Sequence, residues 1–261
     1  MKRYISAIFL AFLLASCADD DSDTFLVKGG DTSYSSDEDD SSSSSARFSS
    51  SSVLRSSSSS ARSSSSLKDA YLEELSRNGP SESCDFGILR DSRDGQEYRT
   101  TVIGEQTWMA ENLNYDSAGV CYGNMPEYCD VFGRMYSVDA GAKVCPEGWH
   151  LPSLEEWDVL FATAGGENYA NRTLISSYGW KEQMNVADSY CFTVLPGGYF
   201  DDDEYKLLKS GVCYWTSTSD GTYADNPFRN IYFDYERSYV YEGGASALDK
   251  MYIRCVKDID E

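Results

Sequence analysis

Between Ser33 and Ser66, 21 of 34 residues are serine, in blocks broken by Ala46-Arg47-Phe48, Val53-Leu54-Arg55 and Ala61-Arg62. Such a stretch carries too little apolar surface to offset the entropy of ordering it. Any globular fold must therefore lie beyond it. As a flexible coil, residues 18–83 would span roughly 45 Å. A plain spacer is the simplest reading; glycosylation of the serines or capture of a partner is the alternative. Leu67 to Leu75 is expected to form a short helix at its end.

The start of the chain has its own pattern. Lys2 and Arg3 precede the apolar run Ile5 to Leu14, which is too short to cross a bilayer and suits a secretory signal. It ends Leu14-Ala15-Ser16-Cys17, followed by the acidic run Asp19-Asp20-Asp21. Small residues before a cysteine at this place resemble a bacterial lipobox. The resemblance implies a signal peptide over 1–17 and acylation of Cys17. More than one acyl chain would give stable anchoring, since a single chain holds weakly. The expected location is the cell envelope, at the outer membrane or cell surface, with the membrane itself as partner.

Residues 84–261 are enough for one domain with a sizeable core. They hold 30 Asp and Glu against 14 Lys and Arg, a net charge near −16. A surface this acidic repels phosphate backbones, so no nucleic-acid partner is expected. Seven cysteines lie here (Cys84, Cys121, Cys129, Cys145, Cys191, Cys213 and Cys255) and read as disulfides in an exported chain. With no CxxC spacing and one histidine, neither a metal centre nor a cofactor is expected.

Local signals suggest the order of elements. Phe86–Leu89 and Tyr98–Ile103 flank Asp94-Gly95, a hairpin signal. Gln106–Ala110 follows as a third strand. Ser153-Leu154-Glu155-Glu156 is a capping box, and Leu154, Trp157, Leu160 and Phe161 recur at helical spacing until Gly165-Gly166. A weaker helix is expected over Tyr169–Ser177. Strands are expected at Cys191–Leu195, Val212–Thr218, Phe228–Asp234, Ser238–Glu242 and Met251–Val256. The pattern predicts an α+β domain with a mostly antiparallel sheet and one or two packed helices.

Several blocks occur in an order that is familiar. They are Asp91–Tyr98, Gln106–Tyr115, Phe132–Tyr136, Cys145–Ser153, Leu195–Gly198, Tyr214–Thr218 and Arg254–Asp258. Together they resemble the Fibrobacter succinogenes major paralogous domain, over Asp91 to Asp258, in its lipoprotein form. The resemblance implies a C-type lectin-like fold, on Gly148-Trp149, Leu151-Pro152, the capped helix and a terminal cysteine strand. It implies no agreed activity. Sulfatase-modifying relatives use a cysteine pair, but Cys213 and Cys255 sit in no matching motif. The lectin-like fold implies a Cys145–Cys255 bridge. Cys121 and Cys129 are close enough to close a short loop. Cys191 and Cys213, both outside the shared blocks, are expected to pair, leaving Cys84 unpaired.

Candidate chemistry is sparse. Asp91–Gly95 reads as a turn, because Arg93 replaces the oxygen ligand a calcium loop needs. Asp201–Glu204 reads as a solvated loop before it reads as a cation site. His150 is expected to be structural, because no nucleophile motif accompanies it. On the late strands, Tyr214, Trp215, Tyr223, Asn226 and Asp234 fall where lectin-like folds bind ligands, although a core role for Trp215 is the commoner outcome. The expected function is a non-catalytic binding or adhesion domain for a glycan such as plant polysaccharide. The alternative is a hydrolytic enzyme on the same scaffold.

Overall fold

The computed structural model describes residues 64–79, 83–182, 185–221, 227–237 and 239–259. The expected signal peptide over 1–17, with Cys17, and residues 18–63 lie outside the described residues, as do Tyr223 and Asn226. Among the described residues no helix is long and apolar enough to cross a membrane.

Two five-stranded sheets carry the fold. The first has the order β1 (Gly87–Arg90), β2 (Glu97–Ile103), β3 (Gln106–Met109), β10 (Val256–Lys257) and β4 (Trp149–His150), all antiparallel. Its β1–β2 hairpin turns at Asp91–Gln96, where Gly95 N–H donates to Asp91 O at 2.8 Å. The Asp91 carboxylate is taken by Arg93, whose Nε and Nη2 donate at 2.8 and 2.5 Å.

The second sheet has the order β6 (Glu204–Leu208), β5 (Gly197–Asp201), β7 (Gly211–Ser219), β8 (Phe228–Asp234) and β9 (Tyr241–Ala245). Its pairs are antiparallel apart from β5–β7, which meet in parallel at Gly198 and Val212. The Asp201–Glu204 stretch is therefore a two-residue hairpin and not an open loop. Asp202 and Asp203 supply its left-handed backbone, with φ 47° and 62°. Gly198 lies inside a strand because a Cβ there would strike the Lys206 carbonyl and the Tyr122 ring.

Five α-helices occur among the described residues: α1 (Ser64–Arg77), where a short helix was expected, and four in the domain where one or two were expected, α2 (Pro126–Phe132), α3 (Val138–Val144), α4 (Leu154–Thr163) and α5 (Glu167–Thr173). The two unforeseen in the domain, α2 and α3, are seven residues each, too short to show a helical period. Helix α4 begins with the full capping box: Glu156 N–H donates to Ser153 Oγ at 3.3 Å, and Ser153 N–H to Glu156 Oε2 at 2.8 Å. Its Trp157 sits in a cluster of rings, with Trp108 at 4.8 Å, Tyr214 at 5.7 Å and Phe192 at 5.9 Å.

Helix α1 corrects the expected boundary at Cys84. Tyr71 and Leu75, one turn apart, are both buried in the main core. The Tyr71 hydroxyl donates to Gly179 O at 2.7 Å, and Lys209 Nζ lies 3.8 Å from its ring. The expected strand at Cys191–Leu195 is also absent; Cys191 and Thr193 have φ 54° and 53°, which no strand tolerates. Disulfides join Cys121 to Cys129 and Cys145 to Cys255. Cys84 is joined to Cys191, replacing the expected Cys191–Cys213 pair and the unpaired Cys84.

Candidate functional site

The ligand residues expected on the late strands divide. Tyr214 and Trp215 are fully buried, and Trp215 Nε1 donates to Tyr136 O at 2.7 Å. Neither ring can stack on a ligand. Asp234 is nearly buried at the end of β8, where its carboxylate accepts from Glu236 N–H at 2.6 Å. Burial raises its pKa despite that bond.

Tyr214 instead belongs to a buried polar hub. Its hydroxyl donates to Asn112 Oδ1 at 3.1 Å, and Arg254 Nε donates to the same oxygen at 2.8 Å. Asn112 Nδ2 donates to Phe132 O at 2.7 Å. The other Arg254 nitrogens donate to the carbonyls of Phe192 and of Thr193, the latter at 2.9 Å. One guanidinium thus ties the last strand region to the segment after β3 and to the loop before β5. A buried charge is tolerable here because each of its nitrogens is hydrogen-bonded.

Above this hub lies a polar cleft of about 170 Å³. Asn112, Thr193 and Arg254 form its floor, and Gly133 and Asp130 one wall. Gly133 caps α2 at φ 77°, and a Cβ there would come within 2.8 Å of Leu113 O. The Arg99–Glu111 pair also lines it: Arg99 Nη2 donates to Oε1 at 2.8 Å, and Arg99 N–H to Oε2 at 2.7 Å. Gln96 and Asn114 complete the rim, with Gln96 Nε2 donating to Asn114 O at 3.0 Å. Two side-chain atoms of these residues, Arg99 Nε and Asn114 Oδ1, are closed to solvent and have no hydrogen-bond partner among the described residues. Leaving such groups unpaired is a cost to the fold.

The loop beneath the cleft is strained. Asp188, Cys191 and Thr193 all have positive φ, a conformation non-glycine residues hold only when the surroundings impose it. Cys84 staples the loop at Cys191, and the Asp188 carboxylate accepts from Thr193 N–H at 2.9 Å and Oγ1 at 2.7 Å. Burial pushes Asp188 up to about 6, with the Thr193 bonds and the Arg254 charge opposing it.

Three other groups of titratable residues stand apart from the cleft. His150 is held between Asp258 and Glu156, at 2.5 and 2.7 Å, with both ring nitrogens engaged. Asp201 and Asp249 form a buried carboxyl pair in which burial and the neighbouring charge push Asp249 up to about 7. Asp158, Glu167 and Glu242 bring carboxylate oxygens within 4.8 Å of one another, and could hold a cation. Arg229 already supplies one there, with Nη2 3.0 Å from Glu242 Oε2. No sequence signal marked this group, because α4, α5 and β9 contribute one acid each.

The fold and cleft define an α+β, sheet-dominated domain whose shared blocks converge on one buried polar hub. The family model of the Fibrobacter succinogenes major domain matches residues 102–257, more than half of the chain, and the chain belongs to that family. No curated protein and no solved structure matches it.

Proposed function

We propose that the chain is a lipid-anchored envelope or surface protein whose lectin-like domain binds a glycan without catalysis. The observation that carries this reading is the polar cleft, whose lining residues Gln96, Arg99, Glu111, Asn112 and Asn114 carry both donors and acceptors. Sugar hydroxyls donate and accept at once, which suits such a lining. Cys17 supplies the anchor, and the serine-rich segment holds the domain away from the membrane.

The hydrolase reading is weaker. Glycosidases set two carboxyl groups roughly 5–9.5 Å apart across an accessible bond. Asp201 and Asp249 are instead buried and hydrogen-bonded to each other. The His150 nitrogens are both occupied by carboxylates.

The full chain in detergent, applied to a glycan array, tests the binding role. Wild type should retain at least one glycan unaltered, and Arg99→Ala should lose it. Release of shortened products would overturn the non-catalytic reading. Labelling with an alkyne fatty acid tests the anchor: wild type should be tagged, and equal tagging of Cys17→Ala would refute lipidation at that residue.

A further inference from the structure

The disulfides described above differ in what surrounds their sulfurs. Cys121 and Cys129 are both buried. Cys145 is half-buried, but its partner Cys255 is closed off completely. Cys84 and Cys191 are both half-buried, so of these bridges theirs is the one with neither residue sealed in the core. It also closes a strained loop. Cys191 has φ 54°, between Asp188 at 40° and Thr193 at 53°. Non-glycine residues keep that conformation only while their surroundings impose it. We infer that Cys84–Cys191 is a site of thiol–disulfide exchange, opened by a small dithiol, that latches the start of the domain to the loop under the cleft.

The exchange is complete in itself. One thiolate of the dithiol attacks a bridge sulfur, forms a mixed disulfide and expels the other cysteine as a thiolate. The second thiolate of the reductant then attacks its own half of the mixed disulfide. A cyclic disulfide leaves and the second cysteine is released. Two electrons and two protons pass from the dithiol to the bridge.

Selectivity follows from access and from the leaving thiolate. At Cys84–Cys191 either sulfur belongs to a residue that water reaches, so the expelled thiolate is solvated. At Cys145–Cys255, attack on Cys145 would expel the Cys255 thiolate into a cluster that holds Met109, Trp215 and Ile253, where burial disfavours the anion. The covered Cys121–Cys129 bridge offers no open sulfur. Relief of the positive φ at Cys191 favours the open form of the loop as well.

Opening is local. Phe192 and Val194 on the far side of the bridge are fully buried, and Val194 N–H donates to Leu174 O at 3.0 Å. The turn itself would be left to hydrogen bonds, among them Thr101 Oγ1 to Tyr190 O at 2.8 Å and those of Thr193 to the Asp188 carboxylate. Thr193 lines the cleft and its carbonyl accepts from Arg254 Nη2 at 2.9 Å, so the released loop reaches the cleft floor. At the other end Cys84 stands between α1 and β1, and loses its covalent tie to that loop.

The full chain in detergent would be treated with graded dithiothreitol at pH 8, where part of the reagent is thiolate, then quenched with N-ethylmaleimide and mapped by mass spectrometry. Cys84 and Cys191 should be labelled together, roughly tenfold or more faster than Cys121, Cys129, Cys145 and Cys255. Hydrogen exchange of the selectively opened protein should rise in residues 186–193 and leave β7 and β8 as protected as before. The double variant Cys84→Ser, Cys191→Ser should show the same pattern without reductant; if it fails to fold, the time course on the wild type decides alone. Earlier opening of either other bridge, or all of them opening together, would overturn the exchange site. Selective opening with unchanged exchange in the loop, or with exchange rising across β7 and β8 too, would overturn the latch.

Discussion

His150 Nε2 lies 2.7 Å from Glu156 Oε1, the same carboxylate that closes the capping box of α4. Its other nitrogen meets Asp258 at 2.5 Å, just beyond the last strand. The imidazole thus bridges the entrance of α4 and the C-terminal edge of the first sheet. Burial disfavours its charged form, but the bonds and charges of Asp258 and Glu156 outweigh that and raise its pKa above 6.5. A folded-state pKa raised in this way adds stability that is complete below about pH 6.5 and is lost as pH rises through the folded value. His150→Gln should therefore cost about 1 kcal/mol at pH 5.5, the scale of a partly exposed pair, and little at pH 9. Thermal melts at both pH values measure this; an equal loss at the two would contradict the charged bridge.

Two buried acids act in the same direction. Asp188 and Asp249 are pushed up to about 6 and about 7, chiefly by burial. In the unfolded chain both titrate near 3.9. Between these values the folded state binds more protons than the unfolded state, so stability falls as pH rises through that window. The domain should melt several degrees higher at pH 5 than at pH 8. Asp188→Asn should flatten part of that slope, although Thr193 N–H then keeps only an amide oxygen as acceptor. A melting temperature that rises steadily from pH 5 to pH 8 would show that these carboxyls are not buried as described.

The disulfides give an ordering by loop length. Cys84–Cys191 and Cys145–Cys255 are separated by 107 and 110 residues, and Cys121–Cys129 by 8. In the chain-entropy model the long loops are each worth about 4.8 kcal/mol and the short one about 2.5. Cys191→Ser and Cys255→Ser should then lower the melting temperature comparably, and more than Cys129→Ser. Cys191→Ser should also release the strained loop under the cleft and weaken ligand binding. Non-reducing peptide maps decide the pairing: a fragment joining Cys191 to a residue other than Cys84 would refute it.

What was legible in the sequence was local. The β1–β2 hairpin follows from Asp94-Gly95, and α4 from Ser153 and Glu156, because those signals act within a few residues. The β5–β6 hairpin was missed because Asp201–Glu204 reads as a solvated loop and the paired glycines Gly197-Gly198 do not look like strand residues. Gly197 is needed in the strand for room beside Tyr252 and Gly198 for room beside Lys206 and Tyr122, and the acids for a left-handed turn. Neither reason exists until the chain has folded. The cleft was hidden in the same way. Glu111 and Asn114 lie in a recognisable block, but their role depends on Arg99 and on Arg254, which bonds Asn112 across 142 positions of sequence. Tyr214 and Trp215 fall where lectin-like folds bind ligands, with a core role the commoner outcome for Trp215; both are core, and burial removes them from any ligand surface.

Helix α1 gives the last test. The serine-rich composition upstream draws the domain boundary toward Cys84, yet Tyr71 and Leu75 are each 4% exposed and pack with Phe132 and beside Gly179. Removing a buried aromatic ring costs about 3–5 kcal/mol. At roughly 2–4 °C per kcal/mol for a domain of this size, Tyr71→Ala should lower the melting temperature by about 6 °C or more. Tyr71→Phe keeps the ring and loses only the bond to Gly179 O, so it should cost about 1 kcal/mol. Limited proteolysis of the full chain should leave a resistant fragment that begins before Tyr71. A fragment beginning at Cys84, together with an unchanged melt for Tyr71→Ala, would return the helix to the tether.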